Sequence, residues 1–172
     1  MHLQTDKIKL RPLEPEDLDL LYVWENDTTL WEVGNALVPF SRYILKQYLA
    51  DSHRDIFETK QLRLIIENNA LEPVGAIDLF DFDPNHRRAG MGILIHSDAH
   101  RRKGYATDAI MLMCHYAKDI LNLHQIYVGI GANNASSIAL FERAHFVLSG
   151  VKKDWLRRNN HWEDELIYQL MF

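Results

Sequence analysis

The sequence predicts one mixed α/β domain of the α+β type, in which helices flank a mainly antiparallel sheet. The chain has 172 residues, 47% hydrophobic and 25% charged, which is the size and composition of a single globular domain. Several short segments alternate apolar and polar residues, as half-buried strands do, whereas residues 104–121 repeat their apolar residues at helical spacing. We therefore treat residues 1–172 as one domain.

The first half of the chain predicts a strand, two helices and a hairpin, in that order. Residues 8–13 alternate as a short strand, and Pro15 suits the first turn of a helix that ends at residues 26–29. Ser41 is a candidate cap for a second helix running to about His53. Residues 62–67 and 74–82 are predicted hairpin strands, and the aperiodic apolar segment 30–40 could line a substrate pocket.

The second half predicts three or more further strands and two helices. Residues 87–95 read as a strand in which Gly90 and Gly92 indicate a bulge or a close backbone approach. The helix over 104–121 follows, then a strand over 125–130 and a helix over 135–144 capped by residue 133 or 134. Strands are expected from Phe146 and over 165–172, with a hairpin tip at 155–162.

Charge and cysteine content exclude several classes of function. The formal net charge of −5 argues against general binding to nucleic acids or membrane surfaces, which would need an excess of Lys and Arg. The single cysteine, Cys114, cannot form an intrachain disulfide and lies on an apolar helical stripe. The N-terminal residues lack a signal-peptide pattern, and no apolar run is long enough to span a membrane. A cytoplasmic protein is expected.

A basic loop between a strand and a helix predicts an anion site. Residues 92–95 lead through Arg101, Arg102 and Lys103 into a helix whose first turn holds Gly104, Ala106 and Thr107. The first N–H groups of a helix lack intrahelical partners and carry a partial positive charge, so they suit a diphosphate. A solvated basic turn would have the same composition, and the flanking strand and helix favour the anion site.

Arg101-x-x-Gly104-x-Ala106 resembles the Q/R-x-x-G-x-G/A acetyl-CoA motif of the GNAT N-acetyltransferases. The segments IKLRPLEPEDL, HRRAGMGILI and ILNLHQIYVGI, together with Asn134 and the helix ending FERAHF, resemble bacterial spermidine/spermine N-acetyltransferases and, less closely, ribosomal-protein N-terminal acetyltransferases. The resemblance implies a GNAT fold with a splayed sheet and acetyl-CoA bound in the gap. It also implies direct transfer of acetyl to a primary amine of a polyamine or a protein N-terminus.

The resemblance further implies a set of binding residues. The strand Gly92–Ile95 would pair with the pantetheine arm, and the N–H near Leu94 would stabilise the oxyanion of the reaction. Asn134 corresponds to the family's asparagine beside the pantetheine. The implied acetyl-CoA site is Gly92, Ile93, Leu94, Ile95, Arg101, Arg102, Lys103, Gly104, Tyr105, Ala106, Thr107, Asn134, Ser137 and Phe141.

Two positions depart from the family pattern, and both concern proton transfer. Phe141 stands where the family has a tyrosine that acts as general acid, and Gly90 stands where it has a glutamate. Ser137, four residues before Phe141, is the substitute proton donor that the helical spacing suggests, and water is the alternative donor. Candidate bases are Asp78, Glu67, Asp81 and Glu32, each of which could instead be a solvated carboxylate.

The sequence also suggests residues that contact the acceptor and a self-association of the chain. Trp31 and Glu32 are candidate substrate residues, and a homo-oligomer is possible. His96 and His100 are four apart but not on a helix, so no metal site is predicted. The departures at residues 90 and 141 leave open a non-catalytic acyl-CoA-binding or regulatory protein, and the basic loop alone would also suit a phosphate or nucleotide sensor.

Overall fold

The computed structural model describes residues 3–31, 38–158 and 160–172, and its centre is one seven-stranded sheet. The strand order is β1-β2-β3-β4-β5-β7-β6, and every neighbouring pair is antiparallel except β4 and β5. The strands are β1 (Ile8–Arg11), β2 (Leu62–Asn68), β3 (Pro73–Asp83), β4 (Arg88–Ile95), β5 (Gln125–Gly131), β6 (Val147–Arg158) and β7 (His161–Met171).

Five α-helices are described with the sheet, and four of them lie where the sequence predicts helices. Ser41 caps its helix as predicted, because its side chain accepts from the N–H of Ile44. A short helix capped by Asp55 was not predicted. The helices are α1 (Leu18–Glu25), which follows a 3-10 turn at Pro15–Asp17, α2 (Arg42–Asp51), α3 (Ile56–Thr59), α4 (Tyr105–Asp119) and α5 (Ala135–Arg143).

The two faces of the sheet carry separate apolar clusters. On one face α4 buries Ile110 and Met113 against strand residues such as Ile77 and Met91. On the other face α1 and α2 pack around Ile65. The stripe that predicts α4 is therefore its sheet-facing side, and the opposite face of β2 to β4 is left for α1, α2 and a cleft beside them.

The C-terminal hairpin differs from its prediction. The strands β6 and β7 continue to Arg158 and from His161, so the loop is far shorter than residues 155–162. Cross-strand pairs such as Arg157 with Trp162 account for the extension. No helix in the described ranges is long and apolar enough to cross a membrane.

The sheet opens between β4 and β5. The parallel pairing covers Arg88, Ala89 and Gly90 of β4, and it ends at the pair Gly90–Tyr127. Beyond this pair β4 remains paired with β3, and β5 remains paired with β7. The two strands thus present free inner edges to each other, as the predicted splayed sheet requires.

Candidate active site

A cleft of about 870 Å³ occupies the opening between β4 and β5. It is within the usual size range of small-molecule sites. Residues Gly92, Ile93 and Leu94 of β4 line one side, and Val128 to Gly131 of β5 line the other. Backbone groups on the open edge of β4 lack a strand partner on this side, so an extended ligand with amide groups can pair with them.

The predicted phosphate loop has the backbone that an anion site needs. Gly104 has φ of 87°, and Arg102 has φ of 62°, so the chain turns sharply just before α4. Among the residues that the structure describes, no side chain caps the start of α4, so its first N–H groups are available to a ligand. The Arg101 guanidinium contacts Asp98 at 2.5 Å, so part of its charge is already balanced.

The other residues of the predicted loop have different surroundings. Lys103 and Tyr105 line a separate surface depression with Lys7. Ala106 is partly buried and Thr107 is exposed in the first turn of α4, while Ile95 packs into the core. Lys7 was not predicted as a site residue, yet its Nζ lies 3.2 Å from the position of a Cβ at Gly104.

The start of α5 combines capping with a place in the cleft wall. The side-chain oxygen of Asn134 accepts from the N–H of Ser137 at 3.1 Å, so Asn134 is the helix cap. Asn134, Ser137 and Phe141 all line the cleft. Phe141 is 3% exposed and packs edge-on against Phe146. The predicted cluster on α5 is therefore brought together beside the cleft.

Asp78 lies in the cleft wall but is held by a cation. The guanidinium of Arg63 donates to both Asp78 oxygens at 2.7 and 3.1 Å, and it also contacts Glu25. Burial alone would lower the pKa of Arg63. The charge of Asp78 and its hydrogen bonds outweigh that effect, so the Arg63 pKa lies above its ordinary value. A carboxylate in a bidentate ion pair is a poor proton acceptor, so this geometry disfavours Asp78 as the base.

The remaining candidate bases and substrate residues are distributed differently. Glu67 pairs with Arg11 at 2.8 Å and is not among the described cleft residues, which disfavours it as the base. Asp81 lines the cleft, whereas Glu32 lies outside the described residues. Trp31 is not part of the described lining, and its indole N–H donates to the backbone oxygen of Glu25.

Two aromatic residues close the α1 side of the cleft. The rings of Trp24 and His96 are 4.9 Å apart, and both line the cleft. Burial lowers the pKa of His96, which keeps its imidazole neutral at neutral pH. Its Nδ1 is buried and has no hydrogen-bond partner among the described residues. This unused polar atom is available to a ligand.

Gly90 is explained by a side chain rather than by a bulge. A Cβ at residue 90 would lie 2.3 Å from Cε2 of Phe80, so the Phe80 ring occupies the space that a side chain at this position would need. The register shift is on β3, between Phe80 and Asp83, which corrects the bulge predicted at residues 90 and 92. Gly92 is not crowded, since its nearest contact is at 3.7 Å.

We expect Gly90→Ala to lower the free energy of unfolding by about 1–3 kcal/mol, because the added methyl overlaps the Phe80 ring. In a Phe80→Ala background the same substitution should cost little, since the overlapping atoms are gone. Urea unfolding of the four proteins of this cycle measures the coupling. An equal cost in both backgrounds would contradict the explanation.

Two glutamates extend over β5 into the cleft. Cβ atoms at Gly129 and Gly131 would lie 2.7 and 2.8 Å from the carboxylates of Glu165 and Glu163, respectively. Glu165 pairs with Lys152 at 2.8 Å, and Glu163 accepts from the N–H of Asn133 at 2.7 Å. The glycines of β5 thus leave room for carboxylates on the wall opposite Asp78.

Cys114 does not take part in the cleft. It is 8% exposed on the sheet-facing side of α4, and burial raises the pKa of its thiol to about 12. The thiol therefore stays protonated and packs as a small apolar group, as predicted. This is consistent with transfer that proceeds without a cysteine-bound intermediate.

The comparisons with known proteins agree with this architecture. The family model described as the acetyltransferase (GNAT) domain matches residues 7–147. The chain belongs to the GNAT acetyltransferase family. This GNAT chain is an acyltransferase that uses acetyl-CoA, and its seven-stranded open sheet is the GNAT fold.

Named relatives of this GNAT chain include spermidine N(1)-acetyltransferases. It is 29% identical to the Escherichia coli K12 enzyme over 83% of this chain and 74% of that protein. It is 26% identical to the Vibrio cholerae enzyme over 93% and 90% of the two chains. A crystal structure of spermidine N-acetyltransferase from V. cholerae with CoA and spermine matches with a TM-score of 0.86 at 25% identity, over 97% of this chain and 96% of that one.

Several cleft residues were not predicted from the sequence. Arg63 and Tyr127 each lie in a strand and line the cleft, and Trp24 of α1 and His96 just after β4 line it too. Arg63 carried one available signal, because a charged residue inside an apolar strand needs a partner, and Asp78 interrupts the next strand in the same way. Tyr127 had no comparable signal, since tyrosine is common in strands.

Proposed function

We propose that this GNAT enzyme acetylates a polyamine with acetyl-CoA. One observation carries the proposal: the described cleft lining holds five carboxylates against three cationic side chains, with histidine taken as neutral. The carboxylates are Glu25, Asp78, Asp81, Glu163 and Glu165, and the cations are Arg63, Lys152 and Arg158. The excess negative charge favours a ligand with several ammonium groups.

The names of the relatives support the same acceptor class. Two are spermidine N(1)-acetyltransferases, and the V. cholerae structure contains spermine. The protein N-terminus, the other predicted acceptor, has no support among these relatives. They are also enzymes, which favours catalysis over the non-catalytic alternative.

The donor site that we propose follows the open edge of β4. The loop from Arg101 to Gly104 and the first N–H groups of α4 would hold the diphosphate. The backbone of Gly92 to Leu94 would pair with the pantetheine amides, with Asn134 and Phe141 across the cleft. Acetyl-CoA supplies the acetyl group as a thioester, and an N–H of the Gly92 to Leu94 segment would stabilise negative charge on its oxygen.

The test is release of free thiol from acetyl-CoA with a panel of acceptors. We expect spermidine and spermine to give kcat/KM values at least 100-fold above those of a neutral monoamine and of a peptide with a free N-terminus. A preference for the peptide would overturn the polyamine proposal without affecting the GNAT assignment.

A matched pair of variants tests the role of cleft charge. Glu165→Gln removes a carboxylate from the cleft wall and should raise the KM for spermine about tenfold, equivalent to about 1.4 kcal/mol. Glu58→Gln alters an exposed carboxylate on α3, where Arg54 is its partner, and should leave the KM unchanged. Equal KM values for both variants would argue against an electrostatic acceptor site.

We infer a homo-oligomer, because the edge strand β6 exposes Val147, Val151 and Trp155, and edge strands with apolar residues favour pairing with another chain. Sedimentation at micromolar concentration would measure it. A cytoplasmic location stays a prediction from the sequence.

A further inference from the structure

Tyr127 lies at the narrow end of the cleft. It is the β5 member of the last parallel pair, opposite Gly90, so β4 and β5 separate immediately beyond it. Its ring is edge-on to Phe80 with centroids 6.2 Å apart, and its hydroxyl donates to an Asp81 carboxylate oxygen at 3.1 Å. The Tyr127 and Asp81 side chains both line the cleft.

An irregularity in β3 positions Asp81 for this contact. The pairing of β3 with β4 shifts between Phe80 and Asp83, and Asp81 has φ of 49°. A non-glycine residue in this left-handed region costs free energy, and such residues concentrate at functional sites. The bend directs the Asp81 carboxylate toward β5 instead of leaving it in the β3–β4 ladder.

Asp81 differs from the other carboxylates of the cleft. Asp78 and Glu25 contact Arg63, Glu165 pairs with Lys152, and Glu163 pairs with Arg158. In the described parts of the chain, Asp81 forms no ion pair within 4 Å, and its side-chain partner is the neutral phenol of Tyr127. An approaching ammonium would therefore meet an Asp81 carboxylate that no described Arg or Lys side chain contacts.

The O–H of Tyr127, beside Asp81, is the group that can donate a proton. Burial, followed by the nearby charge of Asp81 and the hydrogen bond to it, raises the pKa of Tyr127 to about 12. The phenol is therefore protonated at neutral pH. The Phe80 ring, which fills the space over Gly90, supports Tyr127 from the side.

We propose that Asp81 and Tyr127 are the proton-transfer pair of this enzyme, replacing the proton-transfer residues missing at positions 90 and 141. This inference rests on the proposed transfer of acetyl to an amine. The phosphate loop follows the C-terminal end of β4, so the pantetheine arm runs from Ile95 back toward residue 92, and the thioester would lie toward the end of the cleft where Tyr127 stands.

During the reaction the acceptor nitrogen loses two protons. Asp81 accepts a proton from the acceptor ammonium, and the free amine forms the C–N bond as the C–S bond breaks. Tyr127 gives its proton to the departing sulfur and regains one from Asp81, which returns both residues to their starting states. The second proton of the attacking nitrogen passes to water, so the products are the amide, the CoA thiol and one released proton.

Substitution of Tyr127 tests its part. Tyr127→Phe keeps the ring and removes the O–H, so we expect kcat to fall about 100-fold while calorimetric binding of acetyl-CoA and the melting temperature stay close to wild type. The matched control is Tyr168→Phe, which removes a buried tyrosine hydroxyl whose partner is Glu142, outside the described cleft lining. A Tyr127→Phe protein with kcat within twofold of wild type would overturn the assignment.

The pH dependence separates a proton acceptor from a shaping residue. Wild-type kcat/KM should be flat between pH 6.5 and about pH 9, because enzyme carboxylate and ammonium acceptor are both the abundant forms below the amine pKa. The Asp81→Asn variant has no proton acceptor and can react only with acceptor that is already deprotonated. Its kcat/KM should therefore be reduced about 100-fold at pH 7 and rise tenfold per pH unit, as the fraction of free amine does. A reduction by the same factor at every pH would reject Asp81 as the acceptor.

Other charged groups near this end of the cleft can also affect the pH dependence of kcat/KM. Arg88 of β4 acts on Tyr127 and pairs with Asp83 of β3 at 3.4 Å, and Arg63 of β2 pairs with Asp78. Arg88→Met should change the absolute rate without producing the tenfold rise per pH unit. Failure of the polyamine proposal would be recognised separately, as absence of wild-type turnover with every polyamine.

Discussion

Gly104→Val is expected to raise the dissociation constant for acetyl-CoA at least 100-fold, equivalent to about 2.7 kcal/mol. Residue 104 has φ of 87°, a conformation that a β-branched residue adopts only with strain of about 1–3 kcal/mol. Relief of that strain would move the loop and turn the first N–H groups of α4 away from the diphosphate. A Cβ here would also approach Nζ of Lys7 at 3.2 Å.

The measurement for Gly104→Val is isothermal titration with acetyl-CoA, alongside thermal unfolding. Gly150→Val is the matched control, because nothing lies within 4 Å of a Cβ at residue 150 in β6. We expect the control to bind acetyl-CoA as the wild type does. A Gly104→Val protein that binds within threefold of wild type would show that the loop before α4 is not the diphosphate site.

Arg63→Ala is expected to cause the second large effect, a loss of about 3 kcal/mol in the free energy of unfolding. Removal of the guanidinium leaves Asp78 and Glu25 facing each other without their cation, and breaking a buried pair costs about 3–5 kcal/mol. We take the low end because about a fifth of each of the Arg63 and Asp78 side chains remains exposed, 21% and 20%.

Urea unfolding of a double-mutant cycle measures the Arg63 contribution. Asp78→Asn added to Arg63→Ala should recover part of the lost stability, because one uncompensated charge disappears. Arg54→Ala, which breaks an exposed pair with Glu58 on α3, is the control and should change stability little. If Arg63→Ala were no more destabilising than this control, the Arg63 ion pairs would contribute no more to the free energy of unfolding than an exposed pair does, contrary to the prediction.

The sequence was sufficient for the elements whose signal is local. The apolar stripe of residues 104–121 predicts a helix, and α4 spans Tyr105–Asp119. Ser41 marks the start of α2, because a cap acts on the next few residues only. The short α3 escaped prediction because four residues, Ile56–Thr59, are too few to show a helical period.

Within the site, the segments with local signals were predicted, whereas a contact between residues distant in the sequence was not. Gly92 to Leu94 and the loop from Arg101 to Gly104 are continuous segments. The structure places Gly92 to Leu94 at the opening between β4 and β5, and it places the loop directly before α4. The contact of Asp81 with Tyr127 joins residues 46 positions apart through a shift in strand register. Neither the shift nor the Phe80 ring over Gly90 has a signature in the residue pattern, so the contact between Asp81 and Tyr127 cannot be predicted from the sequence.

The short pairing between β4 and β5 couples the binding of donor and acceptor. Within the described ranges, the β4–β5 ladder has three residue pairs, so the sheet itself fixes the width between its two halves weakly beyond Gly90. A donor that hydrogen-bonds along β4 and contacts β5 would hold that width constant. Acceptor affinity would then increase when the donor is bound, and by thermodynamic reciprocity the acceptor would strengthen donor binding by the same factor.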